Sequence, residues 1–138
     1  MNIIKQKDLN FGLKQEEIQQ EKIENKYGKL HKLDKFNNFD YYNEQYYIEL
    51  KSRRIKHNQY STLFFNKKKL DKANEVIKKG YKVIFIWNCI DGLYCWEYTG
   101  ENKQLDEYYI AVGGRCDRGK DEYDDLVNVK VKYITNIY

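Results

Sequence analysis

The sequence predicts a layered domain of the α/β (α+β) class, and three observations support that class. Apolar residues recur at the helical period near the N-terminus, and residues 39–51 alternate as two short strands do. Residues 83–87 are apolar on both faces, which is typical of a strand covered on both sides. A chain of 138 residues has the length of one domain, so we expect a single domain over residues 1–138.

Two helices are predicted. The first runs from about Leu13 to Tyr27, where apolar residues share one face, and Gly28 favours its end there. The second runs from Asn66 to Lys79, with Asn66 as its N-cap and Gly80 as its end. Its buried stripe comprises Leu70, Ala73 and Ile77.

Between the helices, residues 39–42 and 46–51 are predicted to form a β-hairpin with its turn near residues 43–45. If the loop has an even number of residues, Asp40 lies directly opposite Glu49, whereas an odd loop would break this pairing. Lys51 shares the face of Glu49, about 7 Å along the strand.

Further strands are predicted after the second helix. Residues 81–87 lead to a turn at Asp91-Gly92, from which residues 93–98 return. A long loop from Glu101 to Asp125 surrounds a short strand at residues 108–112. The last strand, residues 126–131, is expected at a sheet edge.

The charge is distributed unevenly along the chain. Its formal net charge is +4, but residues 51–82 carry eleven Lys or Arg against two acids, a net of +9. Such a block is typical of a surface that faces a polyanion, and a solvated lysine-rich helix is an equally good interpretation.

The apolar pattern and the cysteines bear on location. No apolar run approaches the length of about 18 residues that a membrane span needs, and the first ten residues are polar. Three cysteines without CxxC spacing fit a reduced protein. We therefore expect an intracellular protein with neither a secretory signal nor a membrane partner.

Asp40, Glu49 and Lys51 form the candidate chemical site. Two carboxylates on neighbouring strands can jointly bind a hard divalent cation such as Mg²⁺. A lysine on the same face can reach a phosphate or a water ligand, which completes the equipment for phosphodiester hydrolysis. The alternative is an ordinary surface charge cluster, which the Glu-x-Lys tripeptide alone would favour and the hairpin context disfavours.

These residues resemble the PD-(D/E)XK nuclease superfamily, and in particular its small viral and phage members. The resemblance rests on Phe39-Asp40-Tyr41, on residues 47–53 around Glu49-Leu50-Lys51, on the basic helix and on the apolar strand at 81–87. It covers a core at about residues 12–98, with a C-terminal loop and strand at 99–138. It implies a restriction-endonuclease-like fold, with an αβββαβ core and a central mixed sheet flanked by helices.

The resemblance also implies the roles of the site residues. Asp40 and Glu49 would bind Mg²⁺ (or Mn²⁺), the main-chain carbonyl of Leu50 would join them, and Lys51 would assist the nucleophile. The chain departs from the family pattern before the aspartate, where Phe39 stands in place of proline.

A glutamate on the first helix often completes the site in this family. Glu16 is our first choice, because it faces inward on the helical wheel and follows Gly12 by four residues. Glu17 and Glu24 remain alternatives, since the phase of the wheel is good to about one position.

DNA is the expected partner of the basic block. Its phosphates would contact side chains beside the site, namely Arg53, Arg54, Lys56, Lys67 and Lys68. His57 and Tyr60 lie in the loop after the Glu-x-Lys strand, where either could touch substrate. Sequence-specific cleavage would need a homodimer or a specificity partner, because no separate specificity domain is recognisable.

Two other functions remain open at this point. The first is a catalytically inactive nucleic-acid-binding module of the same fold, which would bind DNA without binding a divalent metal. The second is a structural or partner-binding viral protein, which would bind neither.

Overall fold

The computed structural model describes residues 17–34, 37–114 and 123–137, and the side chains of residues 113, 114, 123 and 124 are not part of that description. Within these ranges the elements follow in the order α1 (residues 17–27), β1 (His31–Lys32), β2 (Tyr41–Tyr42), β3 (Tyr46–Ser52), β4 (Thr62–Asn66), α2 (Lys67–Lys78), β5 (Lys82–Cys89), β6 (Gly92–Tyr98), β7 (Tyr108–Gly114), β8 (Tyr123–Lys130), a 3₁₀ turn (Val131–Tyr133) and β9 (Thr135–Asn136).

The central sheet is mixed, as predicted. Its strand order is β1-β2-β3-β5-β6-β9, and β3 pairs with β5 in parallel while the other neighbours are antiparallel. Two parallel neighbours need a crossover connection, and here β4 and α2 supply it. The hairpin β2–β3 has the register expected for an even loop, with Tyr41 opposite Ile48 and Tyr42 opposite Tyr47.

Helices cover both faces of the central sheet, again as predicted. On the α1 side, Ile23 and Leu30 are buried with Ile48, Ile84 and Ile86 in one apolar cluster. We call this cluster the α1-side core.

The opposite face carries α2 and a second sheet. Leu70 and Ala73 of α2 are buried there in a larger cluster, the α2-side core, together with Phe65 and Phe85. The rings of Phe65 and Phe85 stack with centroids 3.9 Å apart. Because Val83 to Trp87 alternate between the two cores, β5 is buried on both faces, which confirms its predicted place in the sheet.

The helix ends follow local chemistry. The Asn66 side chain caps α2 by accepting a hydrogen bond from the Lys68 amide at 2.8 Å, as the sequence predicts. Gly28 follows α1 with a positive φ of 89°, a backbone conformation that favours glycine. The predicted start of the first helix at Leu13 lies outside the described residues.

The second sheet contains the main departures from the predicted elements. Its order is β4-β8-β7, all antiparallel. The strand β4 was not predicted, because it runs into α2 without an intervening turn. The prediction that residues 126–131 lie at a sheet edge is wrong, since β8 is the central strand of the second sheet.

The turn between β5 and β6 also differs from its prediction. Cys89 pairs with Gly92, so the connecting residues are Ile90 and Asp91 and not Asp91-Gly92. Cys89 and Cys95 are both free and lie in different cores. In the part of the chain that the structure describes, no helix is long and apolar enough to cross a membrane.

Candidate metal and nucleic-acid site

The residues on either side of Asp40 pack against opposite faces of the central sheet. The Asp40 amide donates to the Ile48 carbonyl at 2.9 Å, although Tyr41 is the register partner of Ile48. Two residues facing one is the mark of a β-bulge. Phe39 accordingly enters the α2-side core and Tyr41 the α1-side core, although they are only two positions apart.

The bulge aims the Asp40 carboxylate at the neighbouring strand. Its Oδ2 atom accepts a hydrogen bond from the Leu50 amide at 2.7 Å. The carboxylate therefore lies beside the strand segment that carries Glu49. The predicted proximity of the two acids is thus reached through a bulge and not through regular pairing of Asp40 with Glu49.

Glu49 is the one buried charged side chain among the residues that the structure describes, with 7% of its surface exposed. It alternates on β3 with Ile48 and Leu50, which pack in or against the α1-side core, so its side chain projects towards α2. The pKa of Glu49 is raised to about 7, first by burial and second by the nearby charge of Asp40, and Lys69 and Lys51 offset part of this rise.

Lys69 of α2 forms an ion pair with this carboxylate. Its Nζ atom lies 3.5 Å from Oε2 of Glu49 and donates to the Asn38 carbonyl at 2.6 Å. The sequence grouped Lys69 with the other lysines of the basic block. Its spacing of four residues from the buried Ala73 is the signal that places it on the inward side of α2.

Lys51 lies on the same face as Glu49, one strand repeat further along β3. Its register partner on β5 is Trp87, whose indole Nε1 donates to the Phe64 carbonyl at 3.3 Å. The strand β4 therefore passes over the sheet beside Lys51, and the second sheet begins at the edge of the candidate site.

The donors at this site fit a hard divalent cation. Asp40 and Glu49 offer carboxylate oxygens and Leu50 offers a main-chain carbonyl, which are the ligands that Mg²⁺ and Mn²⁺ prefer. A buried glutamate with a raised pKa also gains from added positive charge. Among the described residues, however, no group of three or more His, Cys, Asp or Glu side chains is placed to hold a metal.

The helix glutamates are placed unequally. Glu16 lies outside the described residues, and Glu17 is exposed at the start of the described part of α1. Glu24 uses its carboxylate at the other end of the helix, where Oε2 accepts from the Leu30 amide at 2.8 Å. The described part of α1 packs on the face of the sheet opposite to the one from which Glu49 projects.

The five predicted DNA-contacting residues divide into two groups. Arg53 is half-buried against β4, with its guanidinium 4.4 Å from the Phe64 ring centre, and Lys67 pairs with Asp71 at 3.4 Å. The other three are exposed, namely Arg54, Lys56 and Lys68.

His57 holds the loop that carries Arg54 and Lys56. Its ring nitrogen Nδ1 lies 2.6 Å from Oδ2 of Asp91, and its amide donates to Oδ1 of the same carboxylate at 2.9 Å. The imidazole also stacks on the Tyr94 ring, with centroids 3.8 Å apart. A desolvation penalty acts to raise the pKa of Asp91, but the hydrogen bonds from His57 outweigh it and hold that pKa below its usual value.

A mixed central sheet with helices on both faces places the chain in the restriction-endonuclease-like fold class. The chain belongs, within the PD-(D/E)XK superfamily, to the family described as "Phage putative PDDEXK endonuclease", whose model matches residues 10–137. Neither a search of curated proteins nor a search of solved structures found a match.

Proposed function

We propose that the protein is a metal-dependent nuclease that hydrolyses DNA phosphodiester bonds at the site formed by Asp40, Glu49 and Lys51. The observation that carries this proposal is the burial of Glu49 next to a second carboxylate. Burying an acid beside another acid costs stability, and sites of function are where such costs are retained.

Asp40, Glu49 and the Leu50 carbonyl would hold Mg²⁺ or Mn²⁺. When bound, such an ion polarises the phosphate and acidifies a water ligand. Glu49 must be ionised for this role, and its pKa of about 7 means that the ionised form predominates only in neutral to alkaline solution. The affinity of the site for metal should therefore rise as the pH passes through 7, because the metal and the proton compete for Glu49.

Lys51 would orient the attacking water and offset charge that develops on the phosphate. Lys69 forms an ion pair with Glu49 and would neutralise part of its charge when no substrate is present. Glu16 is proposed as an auxiliary acid, which would supply the third acidic side chain that the described residues lack.

The alternative is a catalytically inactive nucleic-acid-binding module of the same fold. Metal affinity discriminates the two functions. Calorimetry that detects no Mn²⁺ binding, together with DNA binding that survives Asp40→Ala, would support the module.

The direct experiment is a cleavage assay with Mg²⁺ or Mn²⁺ on linear, nicked, branched and single-stranded DNA. Lys51→Ala should bind DNA like the wild type and lose hydrolysis, because it removes one ammonium at the site and leaves the packing of β3 unchanged. Lys103→Ala, which removes an exposed lysine from a turn, is the matched control and should cleave normally. If the wild type leaves every substrate intact with either metal, the nuclease proposal fails.

A further inference from the structure

The second sheet has an outward face that the proposed chemistry does not use. Side chains on its strands alternate between the α2-side core and this face, so Phe64, Asn128 and Tyr109 lie side by side across β4, β8 and β7. Phe64 is also the residue whose carbonyl accepts hydrogen bonds from Trp87 and Arg53. The guanidinium of Arg53, two residues after Lys51, lies 4.4 Å from the Phe64 ring centre, so the outward face begins beside the end of the Glu-x-Lys strand.

An open cavity of about 500 Å³ lies on this face, about one strand repeat beyond Phe64. Two tyrosines line it, and both are exposed, Tyr60 by 61% and Tyr109 by 49%. Lys130 and Lys132 line it as well. Its volume is in the range of about 300–1,000 Å³ that is typical of small-ligand sites.

Exposed aromatic rings beside lysines match one ligand better than others. A nucleobase stacks on a tyrosine ring whatever its sequence, and lysines neutralise the phosphates on either side of it. An apolar peptide would offer the ammonium groups of Lys130 and Lys132 no negative charge to contact. A second copy of this chain would bring the same positive charges together, which is repulsive.

We propose that the cavity lined by Tyr60 and Tyr109 binds an unpaired nucleobase of the DNA strand that enters the candidate site. The inference rests on the proposed function for the identity of the ligand, and it adds a preference for substrates with a single-stranded segment. Bases in an intact duplex are stacked on their neighbours, so they are not available to the tyrosines without an unstacking cost.

The test measures binding without cleavage, in EDTA, by fluorescence anisotropy of a labelled single strand of about 12 nucleotides and of the matching duplex. Tyr60→Ala and Tyr109→Ala should each weaken single-strand binding by about 5- to 100-fold, the range expected for one lost stacking contact. Duplex binding should not change. Tyr60→Trp and Tyr109→Trp should bind like the wild type, because they keep a stacking ring.

Leu105→Ala serves as the matched control, since it removes another exposed large side chain that does not line the cavity. Thermal melting checks that each variant folds. We expect that it does, because the replaced side chains are exposed. As a second readout, 2-aminopurine placed in the single strand should lose fluorescence on binding to the wild type and keep it with either alanine variant.

Three results would overturn the inference. The alanine variants could bind the single strand like the wild type, they could lose single strand and duplex to the same degree, or light scattering could show that they convert a dimer into a monomer. If DNA cleavage persists in any of these cases, the proposed function stands and only this inference falls. If the wild type binds no DNA of either form, the proposed function falls with it.

Discussion

Replacing Glu49 by glutamine should stabilise the folded protein at alkaline pH while it abolishes cleavage. Glu49→Gln keeps the shape of the side chain and removes a buried charge that lies beside Asp40. Glu49 would thus be retained for its chemistry although it lowers the stability of the fold. The stability difference can be measured on the purified proteins.

The magnitude follows from the pKa. The pKa of Glu49 rises from 4.5 to about 7 on folding, and each unit is about 1.4 kcal/mol, so ionised Glu49 costs about 3 kcal/mol. Because the folded pKa is above the unfolded one, the contribution of Glu49 to stability is most favourable below pH 4.5, falls as the pH rises towards 7 and is constant above that. Glu49→Gln does not pay this cost at any pH.

Urea unfolding and thermal melting at pH 4.5 and 8.5 test the reasoning. At pH 8.5 the variant should be more stable by about 3 kcal/mol, or about 10 °C in melting temperature for a domain of this size, and near pH 4.5 the two proteins should nearly coincide. Added Mg²⁺ should raise the melting temperature of the wild type at pH 8.5 and not that of Glu49→Gln. If Glu49→Gln is less stable than the wild type at pH 8.5, the claim that burial of ionised Glu49 destabilises the fold is refuted.

Three further predictions address other parts of the molecule. Asp40→Ala should cost about 1–2 kcal/mol in urea unfolding because the Leu50 amide loses its acceptor, whereas Asp40→Asn keeps an acceptor and should cost less, although both should lose cleavage. Arg54→Ala should reduce the slope of log affinity for DNA against log salt by about 1, and Lys103→Ala should leave it unchanged. Phe65→Ala should destabilise the fold by about 3–5 kcal/mol, measured in the same way, because its ring fills the α2-side core.

The sequence predicted those elements whose local pattern of apolar and polar residues is typical of one structure. The apolar strand at 83–87 is central as predicted, and the hairpin has the register of an even loop, one of the two possibilities that the sequence left open. The strand β4 escaped prediction because Thr62–Asn66 is short and passes directly into α2, so no turn residue separates the two. The central position of β8 depends on partners distant in the sequence, which local alternation does not specify.

The candidate site was predicted to a similar extent. The hairpin predicted that Asp40 lies near the Glu49 strand, but the bulge that brings it there depends on how Phe39 and Tyr41 divide between two cores. The contact of Lys69 with Glu49 needs the packing of α2 across the sheet, which helical spacing alone only suggests.

The bulge at Asp40 affects which substitutions this domain can accept without losing its fold. Phe39 and Tyr41 each anchor one core, whereas Asp40 between them belongs to neither. A substitution at Asp40 therefore leaves both cores filled and removes a carboxylate together with one hydrogen bond. One nucleotide change at this codon could therefore remove a proposed metal ligand and leave the residues that hold the fold together unchanged.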